Sequence, residues 1–210
     1  MSDVPFDQKP KQPRRGAPLL TCYDELEASC AYGWSMLMRG AKDSRAAFHT
    51  PSVATVDADG YPHIRTVVLR ACDEPARFLR FHTDARSGKV QQLAQNPNAA
   101  MHFYDHQAKI QLRLGVRLEV LAGAEYDAAW QATQPMSREC YQVTQGPGSP
   151  LARPSDVDFD AASTHDGEDF FVPIRAHVRS MEWLYLAAKG HRRAMFTFDG
   201  EQTTHQWLVP

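Results

Sequence analysis

The chain has 210 residues, 43% apolar and 23% charged, a length that suits one domain able to bury a sizeable core. Its 23 basic and 25 acidic side chains nearly cancel, which excludes the broad cationic footprint of a nucleic-acid binder, and no apolar run approaches the ~18 residues that a membrane span needs. Cys22, Cys30, Cys72 and Cys140 are scattered, without a C-x-x-C pair or a secretory apolar segment ahead of them, so a reducing cytoplasmic setting is expected.

Residues 1–18 contain four prolines and few apolar side chains and are predicted to form a mobile arm, leaving 19–210 as a single domain. From Thr21 to about Arg39, Leu26, Cys30, Trp34, Leu37 and Met38 recur at helical spacing, with Thr21 as the expected N-cap. Two strand-like runs flank Asp57–Gly60, a tetrapeptide suited to a hairpin turn, and the second of them, HIRTVVLRAC, reads as one strand. RFLRFHT is another strand. SGKVQQLAQ then predicts a short helix stopped by Asn96 and Pro97, and AAMHFYD resumes a strand. In KIQLRLGVRLEV, Ile110, Leu112, Leu114, Val116, Leu118 and Val120 alternate unbroken with Gln111, Arg113, Gly115, Arg117 and Glu119, the pattern of a half-buried strand. Helical pieces follow at AEYDAAWQATQ and SREC, then a long Gly-, Pro-, Ser- and Asp-rich stretch over 144–169 and three closing strands. Six or more strands joined mostly by short turns predict a mainly β protein, an antiparallel β-barrel with peripheral helices.

The segment FHTDARSGKVQQL places Thr83, Arg86, Ser87 and Lys89 at a strand-to-helix bend. A phosphate monoester needs cations, hydroxyls and free N–H groups at a helix start, and this bend offers all three. Ser87 as a simple N-cap with solvated cations is the structural alternative. Arg65 and Arg70 bracket an apolar strand and, at odd and even positions, are expected on opposite faces, so that at least one needs an anionic partner. A carboxylate of the chain or a ligand would serve. Gln111 stands on the polar face of the alternating strand, where its amide offers both a donor and an acceptor. Lys189, His191, Arg192 and Arg193 cluster at an expected hairpin turn. His102 and His106 fall in a strand running into a loop, where their spacing does not converge the rings, and no metal is expected.

Together RTVVLR, FHTDARSGKVQQLAQNPNAAMHFY and KIQLRLGVRLEV are similar, in order and spacing, to the FMN-binding core of the pyridoxamine 5'-phosphate oxidase family, and MEWLYLAAKGHRRAMF with QWLVP resembles its C-terminal strands. The resemblance implies an FMN-binding split β-barrel, a homodimer with FMN in clefts at the subunit interface, and a small-molecule substrate. By position it implies that Arg65, Ser87 and Lys89 hold the FMN phosphate, with Arg86 a local candidate because the family's arginine is here Gly88. Thr66, Val67, Val68 and Leu69 would lie along the flavin, Arg70 would replace a lysine near the ring, and His82 and Thr83 would replace a tyrosine-threonine pair. Gln111, Gln145 (across the dimer) and Arg193 would be further flavin contacts. The family's oxidases grip the substrate phosphate with a tyrosine, an arginine and a serine, whose places align with Trp130, Gln134 and Arg138, and their arginine-leucine-histidine signature aligns with Lys189, Gly190 and His191. These departures imply an FMN-dependent oxidoreductase for a small molecule other than pyridoxamine 5'-phosphate, with His82 and His191 as candidate proton donors. The alternative is a split barrel that holds FMN, haem or another flat cofactor without turnover.

Overall fold

The computed structural model describes residues 21–159, 167–187 and 190–210; the predicted arm at 1–18 and the turn residue Lys189 lie outside them. Among the described residues nine strands form one antiparallel sheet: β1 (Ser52–Val56), β2 (Pro62–Thr66), β3 (Leu69–Asp73), β4 (Phe78–Asp84), β5 (Asn98–Asp105), β6 (Ile110–Val120), β7 (Phe171–Tyr185), β8 (Arg192–Asp199) and β9 (Gln202–Leu208). The strand order is β2-β1-β5-β6-β7-β4-β3, and β8 and β9 branch from β7. The branch follows from length. β7 has 15 residues, more than one barrel wall accommodates; its first half pairs with β4 and its second half with β8, while β6 runs along its other edge.

The edge strands β2 and β3 are joined by Val67 and Val68 alone, so at the junction the two edges stand no more than about 11 Å apart, three Cα steps. That link curls the sheet into a barrel. The single strand expected over HIRTVVLRAC is thus two strands on opposite edges of the sheet; the ladder of β1 and β2 ends where the Val67 N–H bonds the Pro51 carbonyl at 2.9 Å, since Pro51 has no N–H to return. Arg65 and Arg70 do end on different faces, but not by alternation along one strand. Arg65 sits opposite the fully buried Val53, whereas Arg70 is the extra residue of a β-bulge in the pairing of β3 with β4 and is exposed.

The alternation in β6 is realised: Ile110, Leu112, Leu114, Val116 and Leu118 are buried against Met101, Phe81, Trp183 and Phe196. Val120 departs from it, being exposed, because β5 stops pairing at Asn98 opposite Arg117. Helix α1 (Leu26–Lys42) packs Ser29, Gly33, Trp34, Leu37 and Gly40 inward. It begins later than expected: residues 21–24 form a 3-10 turn, and Glu25, with extended backbone, takes the N-cap position expected for Thr21. Helix α2 (Gly88–Gln95) ends at Asn96 before Pro97, as the sequence signals require. The helical pieces α3 (Ala124–Gln131) and α4 (Pro135–Arg138) precede the long loop, and Trp130 of α3 forms a second small core with Tyr141, just after α4, and Phe171 at the start of β7.

Gly40 permits a close approach of backbones, since a Cβ there would lie 2.7 Å from the Phe48 carbonyl oxygen. Gly40→Ala is therefore expected to destabilise the fold by about 1–3 kcal/mol in urea unfolding. If helix propensity governed the site instead, alanine would stabilise it by about 1 kcal/mol.

Candidate functional site

The bend between β4 and α2 is a turn in which Ser87 N–H bonds the Asp84 carbonyl at 3.1 Å. The Ser87 hydroxyl does not cap α2; it donates to the same carbonyl at 2.7 Å and lies 3.2 Å from Thr83 Oγ1. Lys89 Nζ donates to Thr83 Oγ1 at 2.6 Å and to Ser87 Oγ at 3.2 Å. Three residues along the same helix face, Gln92 Oε1 accepts from Arg65 NH2 at 3.2 Å and from Thr55 Oγ1 at 2.5 Å, while Arg65 NH1 donates to Thr55 Oγ1 at 2.5 Å. Thr55, Thr83 and Ser87 are buried, and Arg65 and Lys89 are half-buried.

The electrostatics of this cluster are one-sided. Among the described residues no carboxylate pairs with Arg65 or Lys89. Burial lowers the pKa of both, and the neighbouring Arg65 charge lowers that of Lys89 further, against a smaller opposing effect of Asp84. Two cations and three hydroxyls without a counter-ion among the described residues have the chemistry that an anion with several acceptor oxygens would satisfy. Thr55 and Gln92 were missed in the sequence. Their signals were a polar residue on the inward face of β1 and the spacing of three from Lys89 on α2.

Arg86 does not join the cluster. Its Nε and NH2 bond Asp84 Oδ1 and Oδ2 at 3.0 and 2.7 Å, its NH1 bonds the carbonyls of Val143 and Thr144 at 2.9 and 3.1 Å, and its guanidinium lies 3.6 Å from the Phe170 ring centre. Those bonds commit most of its donors, so Arg86 serves to pin the loop after α4 to the bend. Gln145, on that loop, bonds the Asp156 carbonyl and the Asp158 N–H of its own loop. Thr66 is exposed, Val67 and Leu69 are buried and Val68 is half-buried, along the short link that closes the barrel.

His82 packs edge-on against Phe171 at 4.7 Å, and both its ring nitrogens are buried without a partner among the described residues. Burial, aided by Arg80 and Arg70, lowers its pKa to about 3, so at neutral pH the ring carries no charge. That geometry weighs against His82 as a proton donor. His191 is exposed just before β8.

Gln111 and Arg193 lie elsewhere, in one row across β6, β7 and β8 with Leu184 between them. Both are on the outward face, since Gln111 alternates with buried Ile110 and Leu112, whereas Arg65, Thr55 and Thr83 share the inward face with Val53 and Phe81. No single face of one chain presents both sets.

A family model described as the FMN-binding domain of pyridoxamine 5'-phosphate oxidase matches residues 32–122. Pyridoxine/pyridoxamine 5'-phosphate oxidase of Pseudomonas paraeruginosa is 42% identical over 38% of this chain, and the match spans 36% of that enzyme, so the likeness there is confined to about a third of its length. The enzyme of the same name from Pseudomonas putida is 39% identical over 76% of this chain and 77% of its own. The chain belongs to the pyridoxamine 5'-phosphate oxidase family. Its fold is the FMN-binding split barrel: a pyridoxamine 5'-phosphate oxidase-related, FMN-binding protein of Nostoc punctiforme superposes with a TM-score of 0.71 at 23% identity, covering 87% of this chain and 96% of that one. PhzG of Burkholderia lata, solved with tetrahydrophenazine-1-carboxylic acid, superposes with a TM-score of 0.68 at 20% identity, covering 92% and 98%. FMN is the cofactor of this domain, and the unpaired Arg65 and Lys89 with their hydroxyls fit its phosphate.

His82 also makes a pH prediction. Between pH 6.5 and about 3 the unfolded chain takes up a proton that folded His82 does not, so stability falls as pH falls through this window. Replacing His82 by leucine is expected to remove about 1–3 kcal/mol of the loss in unfolding free energy between pH 7 and pH 4, measured by urea unfolding of the FMN-free protein. An unchanged pH slope would contradict a buried, neutral imidazole.

Proposed function

We propose that this protein is an FMN-dependent oxidoreductase acting on a small organic molecule other than a phosphorylated vitamer, and that each FMN lies between two copies of the chain. The observation that carries this reading is the pair of half-buried cations, Arg65 and Lys89, held together by hydroxyls and an amide, with no carboxylate partner among the described residues. In it, Arg65, Thr83, Ser87 and Lys89 bind the phosphate and exclude water from it. Bound FMN supplies the electron chemistry. The closing link at Val67, Val68 and Leu69 orients the ring, and Arg70, aimed outward by its bulge, sets a positive charge beside it. Two copies are needed because Gln111 and Arg193 face outward while the phosphate residues face inward; one copy supplies each set, with Gln145 beside the second.

The substrate reading rests on Trp130 and Arg138. Arg138 donates to the carbonyls of Thr133 and Trp130 at 3.0 and 2.9 Å and stacks 4.1 Å from the Trp130 ring centre, which is itself buried against Phe171. A guanidinium spent on carbonyls at and just beyond the C-terminal end of α3 has little left for a substrate phosphate. PhzG, with its tetrahydrophenazine carboxylic acid, is a fold neighbour whose ligand is not a vitamer. His191, exposed and two residues from Arg193, is the candidate proton donor in this reading.

Arg65→Ala is expected to weaken FMN binding by roughly 2–4 kcal/mol, as for truncation of a desolvated charge pair, when titrated by flavin fluorescence. Unchanged affinity would remove Arg65 from the site. Dilution to monomers is expected to release FMN; a monomer that retains it would contradict the two-chain site. Anaerobic bleaching of the bound flavin by NADPH or by a candidate amine separates turnover from a binding-only barrel, in which neither bleaches it.

A further inference from the structure

A second group of charges lies on the outward face, one row from Gln111 and Arg193. Glu182 is the lone acid of the apolar run Met181 to Leu184, and its carboxylate is only 4% exposed. It faces Arg113 directly across β6 and stands diagonally from Arg193 on β8. Glu182 Oε2 accepts from Arg113 NH2 at 2.5 Å and from Arg193 NH2 at 2.9 Å. Burial alone would raise the pKa of this carboxyl, but the bonds from Arg193 and Arg113 more than offset it, and the group is held below the usual carboxylate range. One negative charge between two guanidiniums leaves a net positive charge. It is distributed unevenly: Arg113 is about half exposed, whereas Arg193 is mostly buried and its Nε has no partner among the described residues.

A buried carboxylate is held in place only by charged partners that bond it, and here both partners are arginines. Here the carboxylate fixes the rotamer of Arg193 and cancels part of its charge beside Gln111. We propose that Glu182 is a positioning residue that aims Arg193 at the flavin and, by offsetting one arginine charge, holds the reduction potential of bound FMN below the value that Arg113 and Arg193 alone would set. The inference rests on the reading that places Gln111 and Arg193 against the flavin. A negative charge near the ring opposes the charge gained on reduction, and a positive one favours it.

Spectroelectrochemical titration of the FMN-loaded protein and two variants tests this. In Glu182→Gln the two arginines are no longer offset, and the midpoint potential is expected to move positive. In Arg113→Gln, Glu182 is left to offset Arg193 alone, and the potential is expected to move negative. A purely structural loosening has no reason to give opposite signs. Potentials that are unchanged, or that shift in the same direction, overturn the role of Glu182. If Glu182→Gln does not fold, Arg113→Gln decides by its sign, and a zero or positive shift overturns the proposal. A parent protein that binds no FMN overturns the underlying reading of the site, an outcome distinct from bound FMN whose potential ignores both substitutions.

Discussion

Two cations held close together, with no carboxylate partner among the described residues, are the constraint on which the functional end of this barrel depends. Arg65 and Lys89 repel one another and are partly desolvated, and neither fact favours folding. The surrounding structure compensates with Thr55, Thr83, Ser87 and Gln92, neutral groups that accept or share the donors without cancelling the charge. Each of these residues is there for a separate architectural reason. The hairpin of β1 and β2 puts Thr55 diagonally beside Arg65, the tight turn after Asp84 brings Ser87 back to Thr83, and one face of α2 carries both Lys89 and Gln92.

The same chain neutralises several of its other part-buried charges, although Arg80, half-buried, has no carboxylate within salt-bridge distance among the described residues. Arg86 is matched by Asp84, Arg175 by Glu119 and Glu125, and Arg193 by Glu182. The contrast gives the unpaired cluster its meaning, because carboxylates were available to this fold and were used elsewhere. It also separates two tasks on two faces of the barrel wall. The inward cluster keeps its full positive charge, as the proposed phosphate site requires, whereas the outward row at Gln111 and Arg193 has its charge partly offset by Glu182.

Much of this was legible in the sequence where the pattern is local. The alternation over 110–120 marked β6, the bend at 81–93 marked the cluster of Lys89 with Thr83 and Ser87, and Asn96 with Pro97 marked the end of α2. What escaped was set by long-range pairing. HIRTVVLRAC has no Gly or polar break to announce that it passes from one edge strand to the other at Val67 and Val68; the break exists because the barrel closes there. Arg86 looked like a phosphate ligand because its spacing suited one, but Asp84, two residues earlier, already claims it. Glu182 carried a readable signal, a lone acid in an apolar strand, the same buried-charge reasoning that singled out Arg65.

Comparing FMN with riboflavin tests the central claim most directly, since the two differ only in the phosphate that Arg65 and Lys89 would hold. With charge-assisted hydrogen bonds worth about 1.5–3 kcal/mol each, FMN is expected to bind at least ~100-fold more tightly than riboflavin in a fluorescence titration. Equal affinities would contradict a phosphate cradle at Arg65 and Lys89, and the two cations would then need another anion.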